Sequence, residues 1–145
     1  MASNVTSTYL PVGLPGPDIS DLDRAYWEAA REHRLVVQVC GPCGAAQWPP
    51  EEICSECHST DRTWKQSSGK GTVFSWTRIW HPVHPALQAR GPYIAVVVEL
   101  EDFPVLMIGN LLGDAEQEVA TGMRVEAAFE ETTPEYTLVQ WRRQP

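Results

Sequence analysis

Four cysteines lie within an 18-residue stretch of this 145-residue chain, arranged as two CxxC pairs. The pairs are Cys40 with Cys43 and Cys54 with Cys57. Two such pairs supply the four thiolates of a tetrahedral metal site, because each pair forms a tight turn whose backbone N–H groups point at sulfur. Gly44 permits the turn that the first pair requires. The spacing predicts a closed, structural zinc ribbon, with iron as the alternative ion in the same four-sulfur site.

The same stretch also matches two other motifs, CGPC of thioredoxin-type active sites and CSECH of c-type haem attachment. A thioredoxin-type site needs a long helix after the motif, which lowers the pKa of the first thiol. Pro49 and Pro50 limit a helix after Cys43 to about one turn. Haem attachment would leave the first cysteine pair without a role, and it requires export, although residues 1–20 lack a signal-peptide pattern. His58 is therefore predicted to be a surface residue beside the ligands.

Composition and charge limit the remaining function classes. A hydrophobic content of 43% with six tryptophans indicates a globular fold, and no apolar run is long enough to predict a transmembrane helix. The net charge of −8 is concentrated between Glu99 and Glu135, where ten acidic residues accompany one basic residue, Arg124. Nucleic-acid-binding proteins are usually basic, so neither a nucleic-acid nor a membrane partner is expected. Clustered cysteines without a signal predict a cytoplasmic protein.

A mainly β fold is expected to position these residues. The predicted segments are an extended N-terminal arm (1–17), a helix (18–34), a zinc ribbon (35–66) and an OB-fold (67–145). Ser20 or Asp18 is the predicted helix cap. Five strands in about 75 residues, with a break between the third and fourth, favour a five-stranded OB-type barrel, and a five-stranded sandwich is the alternative.

Turn and loop signals separate the five predicted strands. The strands are GTVFSWTRIW, YIAVVVELE, PVLMIGNLL, MRVEAAFEE and YTLVQWRR. SSGKG, at 67–71, lacks the longer phosphate-loop pattern and predicts a turn into the barrel. HPVHPALQARGP, at 81–92, predicts a long loop because its prolines and glycine oppose regular structure. GDAEQEVA predicts a short connection of at most one helical turn, and Glu99, Glu101 and Asp102 predict a solvated turn.

Outside the cysteines, no residues in the sequence assemble a nucleophile, a base and an oxyanion hole, so the chain alone is predicted to be non-catalytic. His81 and His84 alternate with prolines and are predicted to be rigid loop residues. Trp27, Arg31 and Arg34 share one face at helical spacing. Either Trp27 packs while the arginines are solvated, or the face docks an anionic ligand or partner.

The order of helix, four-cysteine ribbon and small barrel resembles a family of acyl-CoA-associated proteins, long catalogued as a domain of unknown function. These proteins combine a rubredoxin-like zinc ribbon with an OB-fold. The resemblance begins near Tyr26 and runs to the C-terminus. It is carried by YWEAAREHRLVVQVCGPCG, WPPEEICSEC, SSGKGTVFSWT, PYIAVVVELE and TGMRVEAAFEE.

This resemblance implies an accessory subunit without an active site of its own, in a hetero-oligomer with an enzyme that acts on acyl-CoA. The implied partner is a thiolase-fold aldolase or thiolase, or a hot-dog-fold hydratase, as in steroid or lipid side-chain degradation. The implied CoA-binding or partner-binding residues are Trp27, Arg31, Arg34, Lys70, His81, His84, Arg90 and Tyr93. Of these, Lys70 and Arg90 are the predicted phosphate contacts.

A nucleic-acid-binding ribbon and barrel is the competing interpretation. Zinc ribbons and OB-folds both occur in that role, and Trp76, Trp80 and Trp141 are the candidate stacking platforms for bases. The acidic barrel opposes it, because strands that bind a phosphate backbone carry lysine and arginine.

Overall fold

The computed structural model describes residues 14–133 and 135–145, so most of the predicted N-terminal arm lies outside the described residues. Strands dominate the described chain, which confirms the predicted class. The elements are α1 (Arg24–Arg31), β1 (Val36–Cys40), β2 (Ala46–Gln47), β3 (Arg62–Gln66), β4 (Lys70–Ile79), α2 (Pro85–Gln88), β5 (Tyr93–Leu100), β6 (Leu106–Asn110), β7 (Arg124–Thr133) and β8 (Tyr136–Arg143).

The ribbon is a three-stranded antiparallel sheet in the order β2-β1-β3. Its register pairs Val36 with Gln66 at one end and Cys40 with Arg62 at the other, so β3 returns antiparallel along the whole of β1. All five residues of β1 are buried. A strand buried on both faces reads as a continuous apolar run, which explains the near absence of polar alternation in VVQVC.

The second sheet is the predicted five-stranded OB barrel, with strand order β6-β5-β4-β7-β8. Leu111 and Trp141 form a parallel bridge that joins the chain after β6 to β8. The backbone N–H of Leu112 also donates to the carbonyl of Trp141 at 2.8 Å. These contacts bring the two ends of the sheet together, as barrel closure requires, and the sandwich alternative is wrong.

One hydrophobic core serves the helix, the ribbon and the barrel. Tyr26 of α1, Val37 of β1, Val98 of β5 and Trp141 of β8 belong to the same buried cluster. Trp141 is 0% exposed. A Cβ atom at Gly109 would lie 2.8 Å from its indole ring, so only glycine leaves room for this side chain. The ribbon and the barrel are therefore packed as one unit.

Helix α1 is shorter than the predicted 18–34. Residue 21 begins a turn, and the helix itself starts after Asp23. The predicted caps are wrong, because the Asp23 carboxylate instead accepts hydrogen bonds from the backbone N–H of Ser20 at 2.8 Å and from the Trp27 indole at 3.2 Å. These bonds hold the preceding chain in a turn and prevent the helix from extending toward its N-terminus.

The C-terminal end of α1 is set by His33. Its φ of 58° lies in the left-handed region, which ends a helix. The backbone N–H of Arg34 then donates to the carbonyl of Ala29 at 2.9 Å. This turn directs the chain into β1.

The predicted loop at 81–92 contains a short helix, α2, so the expectation of an irregular loop is wrong in part. Pro85 occupies the first turn of α2, where its missing N–H costs no hydrogen bond. His84 caps the helix, because its Nδ1 accepts from the backbone N–H of Ala86 at 3.2 Å. Among the described residues, the connection GDAEQEVA forms turns rather than a helix.

The junction between ribbon and barrel depends on Asp102. Its carboxylate accepts from the Ser67 hydroxyl at 2.8 Å and from the backbone N–H of Ser68 at 2.7 Å. The backbone N–H of Ser67 donates to the carbonyl of Leu35 at 2.8 Å. Ser67, Ser68 and Gly69 connect β3 to β4, whereas Lys70 and Gly71 of the predicted turn already belong to β4. Asp102 is not simply solvated, since it ties the β5–β6 turn to the entry of β4.

Replacing this carboxylate should weaken the junction. Asp102→Ala removes two hydrogen bonds to a charged acceptor and should lower the free energy of unfolding by about 1–2 kcal/mol. Urea unfolding followed by tryptophan fluorescence measures the change. Glu101→Ala is the matched control, because its carboxylate accepts only one longer bond, 3.3 Å from the Ser68 hydroxyl. Equal losses in both variants would contradict the assigned role of Asp102.

Candidate metal centre

The four cysteine sulfurs converge as the sequence predicts. Their Sγ atoms all lie within 4.8 Å of one another. The Cys40 and Cys57 sulfurs are 3.5 Å apart, and those of Cys43 and Cys54 are 3.6 Å apart. A tetrahedral ion with metal–sulfur bonds of about 2.3 Å has sulfur–sulfur edges of about 3.8 Å. The four free thiols therefore have the arrangement of a four-sulfur metal site.

Each cysteine pair sits on the same kind of turn. The backbone N–H of Gly44 donates to the carbonyl of Cys40, and that of His58 donates to the carbonyl of Cys54, both at 2.9 Å. Gly44 has a φ of 74° and His58 a φ of 63°. His58 thus occupies the position in the second turn that Gly44 occupies in the first, and its side chain is exposed, as predicted.

The electrostatics of the cluster favour a bound cation. Backbone N–H groups of Cys57 and then Glu56 lower the pKa of the Cys54 thiol to about 7. For Cys40, the backbone N–H of Cys43 lowers the pKa, but burial and the neighbouring sulfurs outweigh it and raise the pKa to about 12. Four crowded thiols cannot all ionise without a compensating charge, so this donor set fits a divalent metal ion.

Gln38 supports the cluster from β1, and the sequence analysis did not identify it. Its amide exchanges two hydrogen bonds with the backbone of Glu51, accepting at 3.0 Å and donating at 2.9 Å. Arg62 donates to the carbonyls of Glu51 and Glu52 at 3.2 and 3.1 Å. These bonds position the loop that carries Cys54. A polar residue in the middle of an otherwise apolar strand was the available signal.

The predicted docking residues of the helix differ in their surroundings. Trp27 is partly buried against the core and makes an edge-to-face contact with Tyr26 at 5.1 Å between ring centroids. The guanidinium of Arg34 lies 2.9 Å from the Glu32 carboxylate. Arg31 is exposed in the last turn of α1. Packing therefore accounts for Trp27, and Arg31 is the more accessible arginine of this face.

The remaining predicted residues do not converge on one phosphate. His81 and His84 belong to the β4–β5 connection, and Tyr93 opens β5. Arg90 lies in the same connection and donates to the carbonyl of Pro92 at 3.0 Å. Lys70 lies at the opposite end of the ten-residue β4, roughly 25–30 Å away along an extended strand. Lys70 and Arg90 therefore cannot contact the same phosphate group.

The three candidate stacking tryptophans also differ in their exposure to solvent. Trp141 is in the core and cannot contact a base, so this prediction is wrong. Trp76 and Trp80 are exposed, and the guanidinium carbon of Arg78 lies 5.4 Å from the centroid of each ring. Arg78 also donates to the carbonyls of Ala115 and Gln117. The tryptophans thus flank an arginine that fixes the connection after β6.

The fold and the site define a class of protein, a four-cysteine metal ribbon joined to an OB barrel. Comparison with protein-family models gives the same division. Residues 27–61 match the model described as the ChsH2 rubredoxin-like zinc ribbon domain, and residues 64–130 match the ChsH2 C-terminal OB-fold domain.

Curated relatives place the chain in a family. It is 36% identical over 102 residues to a DUF35 domain-containing scaffold protein from Pyrococcus furiosus, covering 70% of this chain and 73% of that protein. The chain therefore belongs to the DUF35 family.

Two longer relatives are named as hydratase subunits. The chain is 37% identical over 129 residues to a probable enoyl-CoA hydratase alpha subunit from Thermomonospora curvata, covering 88% of this chain. It is 31% identical over 142 residues to the 3-oxo-4,17-pregnadiene-20-carboxyl-CoA hydratase alpha subunit from Mycobacterium tuberculosis, covering 96% of this chain. The match spans 39% and 43% of these relatives, about two fifths of their length.

Solved structures agree with this assignment. The chain matches one chain of a structure titled "Ltp2-ChsH2(DUF35) aldolase" with a TM-score of 0.79 and 34% identity, covering 88% of this chain and 98% of that one. A DUF35 protein of unknown function from Sulfolobus solfataricus has a TM-score of 0.61 at 12% identity, covers 86% of this chain and 87% of that one, and supports the fold alone. In the described part of the chain, no helix has the length and apolar character needed to cross a membrane.

Loss of one thiolate should remove the metal. Cys43→Ser should reduce the bound metal from about one ion per chain to well below half, and the melting temperature should fall because metal binding contributes directly to folding. Elemental analysis and thermal unfolding measure both effects. Ser55→Ala, between the cysteines of the second pair, should retain full metal content. Retention of full metal content by Cys43→Ser would contradict four-sulfur ligation.

The two cysteine turns predict different changes in stability when glycine is removed from the first turn and introduced into the second. Gly44→Ala forces a side chain into the left-handed region and should destabilise the protein by about 1–2 kcal/mol. His58→Gly removes a side chain from that region and should leave stability unchanged or raise it by a few tenths of a kcal/mol up to about 1. Chemical unfolding of the metal-loaded proteins tests both. Clear destabilisation of His58→Gly would show that its imidazole has a structural role.

Proposed function

We propose that this protein is a non-catalytic accessory subunit of an enzyme that acts on acyl-CoA thioesters. The proposed partner has a thiolase fold and acts as an aldolase or thiolase, including in steroid or lipid side-chain degradation. The observation that carries this proposal is the match to the DUF35 chain of an aldolase structure, which covers 98% of that DUF35 chain. Two relatives named as CoA hydratase alpha subunits support acyl-CoA as the substrate class, and a hot-dog-fold hydratase is the second candidate partner.

The metal centre supports a structural role rather than catalysis. A zinc ion with four thiolate ligands has no open coordination position for water or substrate. We propose zinc as the ion, with iron as the alternative in the same sulfur set. The ion would hold the two cysteine turns of the ribbon together, while the chain's exposed surface contacts the partner. A cytoplasmic location accompanies this proposal.

Electrostatics support a protein partner over nucleic acid. The barrel and its connections carry ten acidic residues and one basic residue between Glu99 and Glu135, which repels a phosphate backbone. Trp76 and Trp80 flank Arg78, whose guanidinium also holds backbone carbonyls of the same chain. The acidic charge therefore disfavours the nucleic-acid-binding alternative.

The cationic residues of α1 remain the proposed contact for the anionic part of acyl-CoA. Arg31 is exposed in the last turn of α1, and Arg34 follows three residues later, after the helix has ended. The β4–β5 connection and the start of β5 would form a separate contact, at the entrance through which the partner receives the CoA thioester. The residues of this contact are His81, His84, Arg90 and Tyr93.

Purification of the tagged chain from its native lysate tests the proposed function directly. We expect a stoichiometric thiolase-fold or hot-dog-fold partner, identified by mass spectrometry, and an absorbance spectrum free of nucleic acid. Metal analysis of the same sample distinguishes zinc from iron. Purification with nucleic acid, or as an isolated chain at native concentration, would overturn the proposal.

A charge reversal on α1 tests the proposed CoA contact. Arg31→Glu should lower the affinity of the purified complex for CoA by about tenfold or more, since a favourable ion pair becomes a repulsion. Isothermal titration calorimetry measures it. Lys65→Glu, an exposed charge reversal on β3, is the control and should change the affinity by less than twofold. Equal affinities for Arg31→Glu and wild type would remove Arg31 from the site.

A further inference from the structure

The outer side of the barrel presents an exposed apolar surface on β4, β5 and β6. The register aligns Ser75, Val97 and Ile108 across the three strands. Val97 lies on the outer side, because its neighbours Val96 and Val98 are buried in the core and side chains alternate along a strand. Ile108 is 77% exposed.

Two further residues extend this surface. Leu106 lies two residues before Ile108 on the same side of β6 and is 40% exposed. A bulge in β4 adds Phe74 between the Val73 and Ser75 pairs, and its ring is 53% exposed. We call Phe74, Val97, Leu106 and Ile108 the outer apolar patch.

Strand β6, which carries two residues of the patch, also lacks the side chains that usually protect a strand at the end of a sheet. Strand β6 lies at one end of the strand order, and β8 covers only its C-terminal part, where the backbone N–H of Asn110 donates to the Gln140 side chain at 2.7 Å. Natural edge strands are usually protected by charged side chains or proline. The sequence of β6, LMIGN, contains neither. A contiguous exposed apolar patch beside such a strand is typical of a protein-binding surface.

The charge beside the patch indicates what covers it. Glu99 is the cross-strand neighbour of Leu106, and exposed Glu101 and Asp102 follow in the adjoining turn. Arg124 lies at the β7 end of the same row. With a net charge of −8 per chain, a second copy would bring two strongly acidic proteins together. A different protein with basic residues facing the acidic turn is the better complement.

We propose that the outer apolar patch docks a folded partner subunit of different sequence, with an apolar centre and basic residues at its rim. This inference rests on the proposed function, since it names the surface through which an accessory subunit meets its enzyme. The apolar side chains provide the buried centre of the interface, and the acidic turn fixes its orientation.

Point variants of the exposed residues test the patch in the two-subunit complex. The probe is the partner identified with the wild-type chain, co-purified and measured by biolayer interferometry. Ile108→Glu should raise the dissociation constant at least tenfold, because it places a charge in the apolar centre. Glu99→Lys should also weaken binding and reverse its sensitivity to salt. Ile53→Glu is the matched control, because it makes the same exchange at an isoleucine of the ribbon that is 55% exposed, and it should change binding less than twofold.

The possible results separate this proposal from the function on which it rests. Equal binding by Ile108→Glu and wild type, or loss of binding only in Ile53→Glu, would overturn the patch while keeping the accessory role. Failure of the wild-type chain to bind any partner would overturn both. A wild-type homodimer that Ile108→Glu converts to a monomer would assign the patch to a second copy and overturn the proposal. Unchanged metal content and melting temperature verify folding, and hydrogen exchange of the wild-type complex should show protection of β5 and β6.

Discussion

The architecture depends on strand β1, because this one strand contributes residues to both the hydrophobic core and the sulfur cluster. Its first residues, Val36 and Val37, belong to the core shared with the helix and barrel, and its last residue, Cys40, is a ligand of the sulfur cluster. A ribbon of about thirty residues cannot bury enough apolar surface to fold alone. Packing at one end, and a metal ion held by the four sulfurs at the other, would compensate for this. The two modules therefore form one structure rather than two domains on a linker.

The same arrangement explains how the chain divides its surface. The sulfur cluster contains all four cysteines, and the core contains Trp141. The exposed groups include an arginine of α1, the tryptophans that flank Arg78, and the outer apolar patch with its acidic turn. Such surfaces suit recognition, which agrees with relatives that are named as scaffolds or subunits.

Much of the fold and the metal site follows from local sequence patterns. The two CxxC pairs specify the sulfur ligands because each pair forms its turn within a few residues, and the alternating strands predict the barrel. The prediction failed where a distant or competing hydrogen bond decides the outcome. Asp23 retains Ser20 in a turn and shortens α1, and His84 caps a helix within a proline-rich loop. Neither bond changes the hydrophobic periodicity from which a helix is read.

The sequence by itself determined the ligands, the order of the modules and the acidic character of the barrel, since all three depend on residue types and short spacings. The tertiary structure decided which side chains share a surface. Strand pairing separates Lys70 from Arg90 by the length of β4, and barrel closure removes Trp141 from solvent. It also aligns residues from three strands into the outer apolar patch. The physical reason is that register and closure are long-range properties, fixed only when the whole sheet has formed.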